Sequence, residues 1–192
     1  MTQFKAINPS VEVNGQTVFA IVDGMGDMKN MAFQILEENG ISDLKPENWY
    51  SQQSWLDAFK QISEKIGPAT LNEIGKKIPE NAKFPPEIND IHKALASIDV
   101  AYHLNHRLDG EIMFDTENGS MKVGIGHYRY RKISDRCAEV ECYNPYPCEF
   151  DKGIVTAMAQ KFKPADSYGI EVDSSGKCRK NGDESCTYRV RW

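Results

Sequence analysis

The apolar periodicity of this chain changes once, and the change limits the folds open to it. As far as Arg107 the apolar residues recur at helical spacing; beyond Gly110 they fall in short alternating runs separated by turn residues. "DMKNMAFQILEENG" predicts a helix that buries Met28, Met31, Phe33, Ile35 and Leu36 and stops at Gly40. The stripe Trp55, Leu56, Phe59, Ile62, Ile66 predicts a longer helix ended by Gly67-Pro68. "TLNEIGKKI" reads as a short helix, "PENAKFPPE" as a proline-rich connector, and Glu87 to about Arg107 as a further helix. From "GEIMFDTENG" through "HYRYRKISDRCAEVECY" the pattern is that of short antiparallel strands, with a hairpin also expected at Asn14-Gly15. One more helix, "EFDKGIVTAMAQKF", precedes strands around "YGIEV" and "CTYRVRW". Helices first and strands later, without βαβ alternation, indicate an α+β fold: helices packed on an antiparallel meander sheet, with a C-terminal cysteine-bearing hairpin.

Composition narrows the function classes. At 192 residues the chain is long enough for one well-filled core. A net charge of −5 disfavours nucleic acid and anionic membrane as partners, and "HYRYRK" is too short a basic run to offset it. No apolar stretch approaches the roughly 20 residues of a spanning helix. "MTQFKAINPS" lacks the apolar core of a signal peptide, which points to the cytoplasm. There is no GxSxG, and "VDGMGDMKN" lacks the third glycine and the setting of a nucleotide cradle, so no enzymatic chemistry is assigned.

Two constellations carry chemistry. Asp99, His103 and His106 stand at i, i+4 and i+7 and should share one helix face, as ligands for a metal or as hydrogen-bonding groups for a small molecule. An ordinary solvent-exposed face is the competing reading. His127 lies in "GIGHYRY", where glycines leave room beside it. All five cysteines fall at or after position 137. Cys148 opens a helix, where amides and dipole favour a thiolate, and Cys178 and Cys186 flank a turn-rich segment that would bring them together. Three thiolates there suit tetrahedral zinc, with Asp173, Glu171, Cys142 or water as fourth ligand. Small core cysteines or a Cys178–Cys186 disulfide are the alternatives.

"NPYPCEFDKGIVTAMAQKF" followed by "GKCRKNGDESCTYRVRW" resembles the C-terminal half of the 4-vinyl reductase-like domain, a sensory module related in fold to TRAPP vesicle-tethering subunits. The resemblance implies an N-terminal extension over residues 1–27 and a ligand-binding domain over 28–192. It implies a buried pocket for a small hydrophobic or aromatic molecule, lined by His103 or His106 with His127 near the strand position. It also implies a structural zinc held by three cysteines matching Cys148, Cys178 and Cys186. The family's glutamate does not carry over, since Ser175 stands in its place, and Asp173 is the substitute. The expected function is a stand-alone, homodimeric sensory module. The alternatives are a haem- or iron-binding sensor or redox protein using His103 or His106, and an enzyme acting on a tetrapyrrole or aromatic substrate. A TRAPP-like interaction protein is the fourth reading, with Trp49, Tyr50 and Trp55 as its partner surface.

Overall fold

The computed structural model describes residues 1–192 and is α+β. Its strands are β1 (Val11–Asn14), β2 (Trp49–Ser51), β3 (His106–Leu108), β4 (Glu111–Ile112), β5 (Phe114–Asp115), β6 (Ser120–Met121), β7 (His127–Ser134), β8 (Cys137–Tyr143), β9 (Glu171–Ser174) and β10 (Cys186–Arg191). Its helices are α1 (Gly15–Gly24), α2 (Lys29–Glu38), α3 (Gln52–Lys65), α4 (Pro68–Asn81), α5 (Ile91–Leu104) and α6 (Cys148–Lys161).

The strands do not form one meander. β2-β1-β3-β4 make a small sheet and β7-β8-β10-β9 a larger one, with β5 and β6 as a separate hairpin. The first sheet exists because β1 pairs on both edges, setting Val13 opposite Tyr50 and opposite His106. No hairpin forms at Asn14-Gly15. Asn14 instead caps α1, its side chain accepting from the Gln16 N–H at 2.9 Å. Gly15 is needed for a different reason: a Cβ there would stand 2.0 Å from the Lys45 carbonyl oxygen.

A single cluster of 39 buried apolar residues joins β1 and α1 to the other helices and to the second sheet, so residues 11–24 belong to the core. Trp55, Phe59, Tyr146 and Phe150 stack at its centre, with Trp55 in edge contact with both Tyr146 and Phe150. Trp55 is therefore core and not a partner surface. On α2 only Ile35 and Leu36 of the expected set are buried; Met28, Met31 and Phe33 face outward. α4 runs two residues before and three residues beyond the expected short element and carries Pro79 inside it. No helix is long and apolar enough to cross a membrane.

Candidate ligand cavity and thiol cluster

Helix α5 ends at Leu104, earlier than its periodicity suggests. Asn105 terminates it, its side-chain amide donating to the Ala101 carbonyl at 2.8 Å, and the chain turns into β3. This break separates the histidines. His106 leaves the helix and faces a cavity between α1, α4, α5 and α6, whereas Asp99 and His103 stay on the helix and turn towards β7. The single shared face expected for Asp99, His103 and His106 does not form.

The cavity has about 70 Å³ free, and twelve of its sixteen lining residues are hydrophobic. Such walls suit an apolar body with few polar anchors. His106 is its only histidine. The His106 Nδ1 lies 2.6 Å from the Tyr102 carbonyl and Nε2 2.5 Å from the Tyr146 hydroxyl, which also accepts from Gln52 at 3.1 Å. A carbonyl can only accept, so Nδ1 carries the proton, Nε2 keeps a lone pair, and Tyr146 donates to it. Burial pushes the His106 pKa down to about 4, so the ring is neutral at neutral pH. Tyr102 is fixed in turn by its own O–H, which donates to the Ile125 carbonyl at 2.5 Å.

Behind the cavity wall the structure brings together Asp99, His103 and His127. The His127 Nδ1 stands 3.0 Å from Asp99 Oδ2, the Tyr128 N–H donates to Asp99 Oδ1 at 2.9 Å, and the His103 and His127 rings lie 5.0 Å apart. Burial pushes the Asp99 carboxyl up, but hydrogen bonds from His103, Tyr128 and His127 outweigh it and hold the group below the usual carboxylate range. His103 donates from Nδ1 to its own helix, at the Asp99 carbonyl, and its Nε2 is buried without a partner. Neither His103 nor His127 lines the cavity. His92, on the far turn of α5, meets Tyr130 and Trp192.

The three expected cysteines converge. Cys148 Sγ lies 2.8 Å from Cys186 Sγ and 4.0 Å from Cys178 Sγ, and Cys178 and Cys186 are 3.8 Å apart. A left-handed turn at Gly182, in the loop between β9 and β10, lets the chain double back and bring Cys178 to Cys186. The Arg179 N–H and Nε–H point at Cys186 Sγ from 3.3 and 3.4 Å. A hydrogen bond from the Cys148 thiol, with Arg179 beside it, lowers the Cys186 pKa to about 5. Asp173 does not join the cluster. It lies on β9, exposed, and accepts from Arg191 at 3.1 Å, because the β9 register aims it away from the thiols. Glu171 is likewise exposed beside Arg191. Cys142 is buried on β8, opposite Cys186, and is not one of the converging donors.

Between thiols and cavity lies a buried ion pair that sequence reasoning missed. Arg179 donates to Asp151 and to the Asn144 carbonyl, and the Tyr128 hydroxyl donates to Asp151 Oδ1 at 2.6 Å. Burial pushes the Asp151 carboxyl up to about 6 against the pull of Arg179. Tyr128 lines the cavity, so hydrogen bonds run unbroken from Cys186 to the cavity wall. In "CEFDK" and "KCRK" these charges look like ordinary surface residues, and nothing in the sequence marks them as partners.

No family model matches this chain, and no curated protein matches it. Solved structures similar in fold are H-NOX (haem-nitric oxide/oxygen binding) domains. One, from S. oneidensis in the Fe(II)NO ligation state, has a TM-score of 0.65 at 12% identity, covering 93% of this chain and 98% of that one. An oxygen-binding H-NOX domain related to soluble guanylate cyclases, in its oxygen complex, has a TM-score of 0.62 at 16% identity, covering 93% and 94%. A third, from work on haem redox potential and porphyrin distortion, has a TM-score of 0.59 at 15% identity, covering 93% and 99%. These likenesses establish the fold, and they overturn the resemblance to the 4-vinyl reductase-like domain: the cysteine-before-helix and terminal-hairpin pattern occurs here on a chain whose fold neighbours are H-NOX domains.

Proposed function

We propose that this chain is a haem-binding sensor domain for a small gaseous ligand. The carrying observation is His106, a neutral, tautomerically fixed imidazole at the wall of an apolar cavity, with Nε2 accepting from the Tyr146 hydroxyl, in a fold similar to that of H-NOX domains. The donor set fits the group. An imidazole that ligates iron needs one unprotonated ring nitrogen and a second that donates to a fixed acceptor: His106 Nδ1 donates to the Tyr102 carbonyl, and Nε2 is unprotonated, accepting here from Tyr146. Haem would supply the iron at which a diatomic gas is sensed. His106 would hold that iron through Nε2, the Tyr102 carbonyl would keep the ring in place, and the apolar walls would exclude water. Tyr146 would give up Nε2 and keep Gln52 as its partner, leaving a phenolic O–H inside the cavity. His103 is the weaker choice of the two expected axial ligands, since its ring faces His127 behind the wall.

The test is a titration of metal-free protein with hemin, followed by visible absorption. Wild type should give a saturable Soret band at one haem per chain. His106→Gly should alter its position and lower affinity by tenfold or more, and added imidazole should restore the wild-type spectrum. A spectrum indifferent to that substitution removes His106 from the iron; absence of saturable binding removes haem and leaves the cavity to an aromatic guest.

A second reading, favoured by the convergence of Cys148, Cys178 and Cys186, is a zinc ion at the thiol cluster, distinct from the haem site. Three thiolates would ligate the ion, with water or a small movement of Cys142 completing four. About one zinc per chain is expected on metal analysis, lost in Cys186→Ser; a wild type free of zinc after growth and dialysis in zinc would refute it.

A further inference from the structure

Where α5 meets β7, Asp99, His103 and His127 bring one carboxylate and two imidazoles together, and none of the three lines the cavity or belongs to the thiol cluster. One donor atom from each lies within 4.8 Å of the other two. Asp99 Oδ2 stands 3.0 Å from His127 Nδ1, and Oδ1 stands 3.4 Å from His103 Nδ1. Metal–ligand bonds of about 2.0–2.2 Å would set such donors about 3–4 Å apart, so the group must contract a little to close on an ion. Two of the three donors are already held in place. The Tyr128 N–H fixes Asp99 Oδ1 at 2.9 Å, and His103 Nδ1 donates to the Asp99 carbonyl at 2.8 Å. That bond leaves the His103 Nε2 lone pair bare, fully buried and without a donor. Buried acceptors are nearly always met, so this nitrogen calls for a partner that the chain itself does not supply. A ring that donates one N–H to a backbone carbonyl and keeps its other nitrogen bare is the usual state of a metal-ligating histidine.

We propose that Asp99, His103 and His127 form a site for a divalent first-row transition ion, ligated by the Asp99 carboxylate and one nitrogen of each ring. Two imidazoles and one carboxylate, with further positions left to water, are the donor set that iron(II) accepts outside a porphyrin. Calcium and magnesium, which take oxygen ligands, are disfavoured, and softer ions remain with the thiols. His103 would ligate through its bare Nε2 and keep its Nδ1–H on the Asp99 carbonyl. His127 would move its proton to Nε2 and turn a bare Nδ1 to the ion, in place of the hydrogen bond it now gives Asp99. Because His127 is half-buried, the ion has a way in from solvent and water can complete its coordination. The inference stands apart from the haem reading, since it draws on none of the cavity's residues.

The experiment titrates metal-free, reduced protein with cobalt(II) in the absence of oxygen, using Cys186→Ser, which breaks up the thiol cluster, and Cys186→Ser/His127→Gln. Thermal melting of the unliganded proteins confirms that both fold. Cys186→Ser should bind one cobalt per chain with weak ligand-field bands and no sulfur-to-cobalt charge transfer, and adding His127→Gln should lower the affinity at least tenfold. Absence of saturable binding in Cys186→Ser, or equal affinity in the two proteins, overturns the site. Should Cys186→Ser fail to fold, the imidazole nitrogens of wild type are followed by long-range proton–nitrogen NMR as zinc is added. Nitrogens of His103 and His127 that take metal-bound shifts support the site; signals of both rings that stay in place overturn it.

Discussion

His106 is held neutral by burial, and this has a thermodynamic consequence. The unfolded chain would protonate the ring near pH 6.5, whereas the folded chain resists down to about 4. Between those values the unfolded state binds more protons, so stability falls as pH drops, by up to roughly 3 kcal/mol over the window. Asp151 acts oppositely: its carboxyl is raised from 3.8 to about 6, so the folded state gains a proton first and is favoured as pH falls through that interval. The two effects overlap, and only a difference measurement separates them. Urea midpoints of wild type and His106→Gln at pH 7, 6 and 5 should diverge in slope, with wild type losing more stability towards acid. Parallel slopes would show that His106 is not held neutral. At this scale the sequence was informative about the cysteines and poor about the charges. Clustering at or after position 137 is visible in one dimension, whereas Asp151 and Arg179 sit 28 positions apart in polar contexts and meet only through the fold.

Among the elements, the closest approach is between α4 and α6. A Cβ on Gly75 would stand 2.1 Å from the Phe150 carbonyl oxygen, and one on Gly153 would stand 2.2 Å from the Asn72 carbonyl oxygen. The helices touch backbone to backbone, which brings Ile78 and Pro79 of α4 to the same cavity as Phe150, Ile154 and Met158 of α6. Gly75→Ala should therefore destabilise by about 1–3 kcal/mol through overpacking. Gly169→Ala, where an added Cβ meets nothing within 4 Å, should stay within about 0.5 kcal/mol. Chemical denaturation of both variants decides it; equal midpoints would mean that the helices part without cost. Helix existence was legible in the periodicity, but helix ends were not. Asn14-Gly15 has the composition of a hairpin turn and serves as a cap, because the Asn14 side chain finds the Gln16 N–H and the strand that would have paired back is replaced by α1. The early end of α5 depends on the pairing of His106 with Val13, almost a hundred positions away, which no local signal announces.

For the molecule as a whole, the α+β class followed from the order of periodicities, while the division into two sheets did not, because it depends on β1 pairing with β3 across five helices. The cavity was foreseen only as a pocket near helix histidines; its walls come from α1, α3, α4, α5, β7 and α6 at once. The chain of contacts from Cys186 through Arg179 and Asp151 to Tyr128 places the thiols and the cavity on one shared set of partners. Equilibrium thermodynamics then demands symmetry. If a metal ion at the thiols draws Arg179 away from Asp151 and shifts affinity in the cavity by some factor, a ligand in the cavity must shift metal affinity by that same factor. Cross-titration of hemin and zinc should yield two equal ratios different from one, and Asp151→Asn should bring both to one together. The protein would then report on two chemistries through a single free energy, with neither site upstream of the other.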